Sequence, residues 1–363
     1  MNRVLRCGVL ALALAAAAGA ARAQQGCPTP ESMRTRMVGT LDAATFEDLG
    51  IALDHEKLYG CAVQAFADSL KLKPDSANVL FMYGTSLFFS GRVQEAIEPL
   101  QASEIIDGRN LKLHLILAGV FDQLHRGPEA LTEWRAAVSA DPLSPQAVDG
   151  LAQDLALDQQ FQPAVDLLTD PASVRQRTAV QSLNLGMAYA ALGQTDAAVD
   201  ALRDGLNTSP DSLTIADELA DVLAQAGRID EADAVFALAL ERHPGDLETE
   251  LHRFRMLLAA DPVRAKTVGE QLLRTSSDNW EVLYLNGVLE AQDSEMEQAR
   301  AHLEASIARN ESFPLAHSLL GVVLARLRDY AGAKQQLERA IALGDTSQEV
   351  QENLARVTAA MQP

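Results

Sequence analysis

Seven histidines, three cysteines and 50 acidic side chains are the groups in this 363-residue chain with the means to do chemistry. The histidines are His55, His114, His125, His243, His252, His302 and His317. A zinc-protease helix needs two histidines four residues apart with a glutamate between them, so that both imidazoles share one face. No pair here has that spacing. A thiolate zinc site needs more ligands than Cys7, Cys27 and Cys61 supply. The phosphate loop, the Gly-x-Ser-x-Gly elbow and the Gly-x-Gly-x-x-Gly fingerprint are all missing from the sequence. Carboxylates will pair by chance among so many acids, but acid–base catalysis also needs an enclosed apolar pocket to shift one of them. The reading assigns no catalytic residue, no metal ligand and no cofactor. It expects a protein that is not an enzyme.

The N-terminus and the charge constrain where such a chain works. Arg3 and Arg6 precede an uncharged Leu/Ala-rich run over 7–21, and Ala21-Arg22-Ala23 offers small residues where a signal peptidase reads. The run of about 15 residues is shorter than the roughly 20 that span a bilayer. Residues 1–23 are therefore read as a signal peptide, with a periplasmic or secreted mature chain. A lipidated Cys27 after Gly26 is a further option, opposed by Gln24. No later segment is long and apolar enough for stable membrane insertion. Loss of Arg3, Arg6 and Arg22, and of no acid, takes the formal charge from -20 to -23. That surface repels nucleic-acid phosphates and anionic lipids, so nucleic acid is not expected as a partner. Two cysteines remain, and an oxidising compartment favours a Cys27–Cys61 disulfide over two free thiols. In the chain-entropy account such a bridge contributes roughly 3–4 kcal/mol.

The elements behind this surface announce themselves by repetition. A small–small pair twelve residues apart occurs as Gly50/Ala62, Gly84/Ala96, Ala118/Ala130, Ala152/Ala164, Gly186/Ala198, Ala220/Ala232, Gly287/Ala299 and Gly321/Ala333. From Gly50 to Ala220 each step is 34 residues. In 179–212, a first helix carries Leu185, Gly186 and Tyr189, and a second carries Ala198 and Leu202. Gly186 and Ala198 are expected to face each other where the helices cross, because only tiny side chains allow close approach. Gly193 supplies the turn, Asp196 is placed to cap the second helix, and Pro210 ends it.

These residues resemble the tetratricopeptide-repeat (TPR) family, a 34-residue helix–turn–helix unit. Phe66, Ala137, Phe236, Ala239 and Ala340 match its packing positions, and Pro74, Pro142, Pro210 and Pro244 its terminal proline. The resemblance implies an all-α fold, an α-α superhelix (solenoid) of about nine repeats. The units are placed at 43–76, 77–110, 111–144, 145–178, 179–212, 213–246, 247–279, 280–313 and 314–347. Residues 24–42 form an N-terminal tail, and 348–363 a C-terminal capping helix. The unit 247–279 is degenerate, with Arg253 and Phe254 where Leu and a small residue belong. Pro171 should shorten the second helix of 145–178.

The family uses the inner wall of its superhelix, lined by first helices, to bind polypeptide segments. Carried over by repeat position, the implied peptide-binding groove contains Glu47, Asp54, Phe81, Thr85, Phe88, Phe89, Leu115, Asp149, Gln153, Leu183, Asn184, Met187, Asp217 and Asp221. Phe81, Phe88 and Phe89 would be an aromatic platform, unless they pack between the two helices of their hairpin. The five acids would give a negative wall suited to a basic and apolar segment, unless they are simply solvated side chains of an acidic protein. No Lys/Asn/Arg set for clamping a C-terminal carboxylate is present. Trp134 falls at a packing position, and Trp280 opens a first helix. The implied function is a protein-interaction scaffold for assembling a cell-envelope or export complex. The alternative is a structural or oligomeric subunit that uses its outer face or ends.

Overall fold

The computed structural model describes residues 27 and 42–362. Among these there are nineteen α-helices and no strand. The chain divides into two compact units at Pro210/Asp211.

The first unit holds α1 (Ala43–His55), α2 (Tyr59–Leu72), α3 (Ala77–Phe89), α4 (Val93–Ile106), α5 (Leu111–Gln123), α6 (Gly127–Ala140), α7 (Pro145–Leu157), α8 (Phe161–Thr169), α9 (Ala179–Ala191) and α10 (Thr195–Thr208). Odd helices are first helices and even ones second helices of antiparallel hairpins. α1 packs on α3, α3 on α5 and α7 on α9. α8 stops after nine residues, before Asp170-Pro171. Leu87, Leu100, Leu117, Phe121, Trp134, Leu151, Leu168 and Leu185 form one continuous core. Leu49, Leu53, Phe66 and Val79 form a second one at α1–α3. A disulfide joins Cys27 to Cys61 on α2, with Cα atoms 5.3 Å apart. Residues 1–23, read above as a signal peptide, and nearly all of 24–42 lie outside the described residues.

The second unit holds α11 (Leu213–Gln225), α12 (Ile229–Arg242), α13 (Leu247–Ala260), α14 (Pro262–Thr275), α15 (Trp280–Gln292), α16 (Met296–Arg309), α17 (Pro314–Arg326), α18 (Tyr330–Ala342) and α19 (Gln348–Ala360). Its core runs from Leu251, Phe254 and Leu272 to Leu303, Leu320 and Leu337. Val350 and Val357 of α19 bury in the latter cluster.

A side-chain cap starts eight of the nine first helices, and Pro314 opens the ninth, α17. Asp42, Ser76, Asn110, Ser144, Thr178, Ser212, Asp246 and Asn279 each accept a backbone N–H of the first turn. A cap of this kind contributes about 1 kcal/mol. Thr178 completes a reciprocal box with Gln181. Asp196 is not the cap expected of it. The N-cap of α10 is Gln194, and Asp196 sits in the first turn, where its charge favours the positive helix end. In eight of the nine hairpins the turn uses one left-handed residue. Gly91, Gly193 and Gly227 fill it, and so do Lys57, His125, Gln159, Ser294 and Arg328, with φ between 57° and 65°.

The first-helix glycine makes room chiefly for a leucine rather than for the alanine. A Cβ on Gly186 would lie 2.5 Å from Leu202 Cγ, and one on Gly84 2.5 Å from Leu100 Cγ. Gly321 meets Leu337 and Gly50 meets the Phe66 ring in the same way. Each glycine is a hole and each residue sixteen positions on is its knob. Where the second helix carries serine, the hydroxyl closes a polar tie. Ser69, Ser103 and Ser306 are buried and donate to the Ala43, Ala77 and Trp280 carbonyls at 2.7–2.8 Å.

Candidate interaction face

First helices in neighbouring repeats face each other at a separation slightly under one repeat. In the first unit Asn78 donates to Glu47 (2.8 Å) and Ser86 to Asp54 (2.8 Å), at separations of 31 and 32 residues. The Gln181 side chain reaches Asp149, whose carboxyl is held above its ordinary range chiefly by desolvation. The Asp149 Oδ1 and Asn184 Nδ2 atoms are buried and have no hydrogen-bond partner. Asp122 accepts from the Trp134 indole N–H at 3.1 Å. The neighbouring Asp154 is 7% exposed. Burial, then the Asp122 charge, pushes its carboxyl up to about 8, so it is protonated at neutral pH.

The fourteen groove residues therefore divide. Glu47, Asp54 and Asp149 bond across repeats, so these acids are ties between first helices rather than a bare negative wall. Phe81, Thr85, Phe89, Leu115, Gln153, Leu183, Asn184 and Met187 are half-buried, with part of each side chain on the surface. Thr85 spends its hydroxyl on the Phe81 carbonyl at 2.8 Å. Phe88 is corrected outright: it is 6% exposed and belongs to the core. Its ring faces α5, where a Cβ on Gly119 would stand 3.7 Å away. It therefore supports the face from beneath, with Phe89 edge-on to it at 5.2 Å and Tyr59 stacked on Phe89 at 5.3 Å.

In the second unit Asp217 and Asp221 share His252, with contacts of 3.6 Å and 2.8 Å. Those two carboxylates raise the imidazole to about 9 against the opposing effect of burial. His252 is thus a cation at neutral pH, and it neutralises one charge of the expected wall. Glu218 stands beside them, held above the ordinary carboxylate range by desolvation and the Asp221 charge. Further along, Trp280 and Tyr284 both pack on Phe313, at 4.8 Å and 4.9 Å between ring centres.

Sequence reasoning missed Asn78, Ser86, Gln181 and His252 as partners of the acids. The signal for them exists: each follows its acid by 31 or 32 residues, apart from the second, looser His252–Asp217 contact. The Trp280–Tyr284–Phe313 cluster was also missed, because Phe313 stands at the far end of the same repeat, about thirty residues beyond the other two rings.

Hairpins closed through a glycine hole and an aromatic or leucine knob define a helical-repeat fold. Residues 183–246 and 284–348 match the tetratricopeptide-repeat family. These two stretches are tetratricopeptide repeats, and that fold implies a protein-interaction scaffold. Similar solved structures include the pilF protein of Pseudomonas aeruginosa, at 20% identity and a TM-score of 0.42, covering 57% of this chain and 94% of that one. PilW, a widely conserved type IV pilus biogenesis factor, is 19% identical with a TM-score of 0.45, over 57% of this chain and 96% of that one. The Cut9 assembly Cut9–Hcn1 of the APC/C gives 15% identity and 0.43, over 86% of this chain and 55% of that one. A search of curated proteins found no match. Among the described residues, no helix is long and apolar enough to cross a membrane.

Proposed function

We propose that this protein is a non-enzymatic scaffold of the cell envelope. It binds an extended polypeptide segment along its first-helix face and brings that segment into an assembly or export complex. The observation that carries the reading is the pair of unpartnered polar atoms on α7 and α9, Asp149 Oδ1 and Asn184 Nδ2. A buried donor and a buried acceptor without partners are costly, and a peptide backbone offers the complementary carbonyl and N–H. Half-buried Leu183 and Met187 beside Asn184 supply apolar contact for alternate side chains. The envelope location rests on the basic, apolar and small-residue pattern of residues 1–23 and on the Cys27–Cys61 disulfide.

The test is capture from a periplasmic extract by the purified mature chain, with cross-linking and mass spectrometry. Asn184→Ala and Asp149→Ala should each lower recovery of the same partner by roughly tenfold, about 1.4 kcal/mol, while the far-ultraviolet circular dichroism stays helical. Equal recovery by both variants sinks the assignment of the site. A second reading, an oligomeric subunit using its outer face, draws on Ile105 and Ile106 of the second helix α4, 88% and 52% exposed. Light scattering separates the two, since a concentration-independent oligomer broken by Ile105→Asp supports the second.

A further inference from the structure

We propose that Glu104, His114 and Glu133 form a binding site for one divalent transition-metal ion of the zinc class. The site is distinct from the peptide-binding face and independent of that reading. Glu104 comes from α4, His114 from α5 and Glu133 from α6, and one ligand atom from each lies within 4.8 Å of the others. His114 and Glu133 are 3% and 6% exposed, while Glu104 is half-buried.

The imidazole is oriented as a ligand should be. Its Nε2 donates to the Gly108 carbonyl at 3.1 Å, which fixes the ring plane and leaves Nδ1 as the nitrogen a metal ion would take in exchange for its proton. Nδ1 faces Glu133 Oε2 at 2.8 Å. Tetrahedral zinc with bonds near 2.0–2.2 Å holds its ligand atoms about 3.4 Å apart. Reaching that spacing needs the Glu104 carboxylate to move in and the His114–Glu133 contact of 2.8 Å to open by about 0.6 Å once the Nδ1 proton has left.

The chain contains its own control. His317 occupies the same repeat position in α17. Its Nε2 faces the carbonyl of Glu311, again six residues back, at 3.1 Å, and its Nδ1 faces Gln336 Oε1 at 2.7 Å. Gln336 stands where Glu133 stands, and Ile307, ten residues before the histidine, stands where Glu104 stands. A histidine that pins the preceding loop therefore needs no acid at all. In the third repeat both neutral neighbours are replaced by carboxylates. Two carboxylates around one imidazole leave excess negative charge in a poorly hydrated place, and a divalent cation balances it.

The experiment uses the full mature chain, dialysed against a chelator and titrated calorimetrically with zinc chloride. One zinc per chain is expected, with a rise in the thermal midpoint. Glu104→Gln keeps the His114–Glu133 contact and should weaken zinc at least tenfold and abolish the thermal rise. His114→Gln should remove the site, and His317→Gln should leave stoichiometry and affinity unchanged. If His114→Gln proves unfolded, Glu104→Gln decides alone, since its residue is partly exposed. No zinc uptake by the native chain overturns the proposal, as does uptake that Glu104→Gln leaves unaltered. Either result would leave His114 and Glu133 as an ion pair only.

Discussion

The fifth and seventh repeats solve one packing problem in opposite directions. In the fifth, the first helix α9 provides the hole, Gly186, and the second helix α10 the knob, Leu202. In the seventh, Phe254 of α13 is the fully buried knob and Gly269 of α14 the hole, where a Cβ would lie 2.8 Å from Phe254 Cζ and 2.5 Å from Asn286 Oδ1. The hairpin turn changes as well. α13 runs one residue further, and Asp261 both ends it and caps α14. Charge then ties the inverted hairpin to both neighbours. Arg253 pairs with Asp233 at 2.6 Å, and Arg264 reaches Asp230, Asp233 and Asp261 at 2.7–3.3 Å. On the other side Arg255 meets Glu281 at 3.0 Å and Lys266 meets Glu295 at 3.0 Å. Interhelical fit requires one small and one large residue at the crossing and is indifferent to which helix supplies which.

The largest expected effect tests the knob. Phe254→Ala empties a fully buried aromatic site and should cost about 3–5 kcal/mol, read by urea denaturation. A loss below 1 kcal/mol would mean that the seventh repeat contributes little to the cooperative fold of its unit.

Next come the two holes. Gly186→Ala and Gly269→Ala should each cost about 1–3 kcal/mol through overpacking, since the added carbon meets a buried neighbour at 2.5 Å in both. The partner substitution sharpens the comparison. Leu202→Ala should recover part of the loss from Gly186→Ala but none of that from Gly269→Ala, and Phe254→Leu should do the reverse. Additivity in both double mutants would break the idea of matched knobs and holes.

This inversion also marks where the sequence was legible and where it was not. The 34-residue period and the small-residue pairs predicted helix pairs correctly, because close crossing leaves no freedom of residue size at those positions. Phe254 at a small-residue position read as decay, because its compensating Gly269 lies fifteen residues away on the other helix. The groove residues were carried over by repeat position alone. That gave half-buried side chains at thirteen of fourteen positions but not their bonds. Phe88 failed because its ring turns towards α5, and ring direction is set by the next repeat rather than by its own. The acids at Asp54 and Asp217 looked free because their partners, Ser86 and His252, are ordinary residues until the repeats stack.

Charge is the next point of contrast, because the seventh repeat carries His252. Its folded pKa of about 9 exceeds the ordinary 6.5, owing to Asp217 and Asp221 on α11, with Glu218 nearby and the Phe236 ring 5.1 Å away. The stabilisation is therefore complete below about pH 6.5 and is lost as pH rises towards 9. After allowance for partial exposure it is worth roughly 1–2 kcal/mol. His252→Gln should remove that part of the pH dependence between pH 6.5 and 9. Asp154, raised by burial, loses stability in the same direction and stays unchanged in both proteins, so the difference between them isolates His252. Parallel stability curves would show that the histidine is not charged by its two aspartates.

The smallest effect concerns the turns. Ser294 adopts φ 63° between α15 and α16, a conformation that costs an L-residue more than glycine. Asp261, in the seventh repeat, has φ -148° and accepts the Arg264 amide at 3.1 Å. Ser294→Gly should accordingly stabilise the chain by about 0.5–1 kcal/mol. Asp261→Gly should destabilise it by about 1 kcal/mol, because it adds backbone freedom and removes both the cap and the Arg264 ion pair. Opposite signs from one substitution type, read as shifts in the urea midpoint, require that the two hairpins turn by different backbone paths. Equal signs would mean that the left-handed residue carries no strain, and the seventh hairpin would then differ from the others in side chains alone.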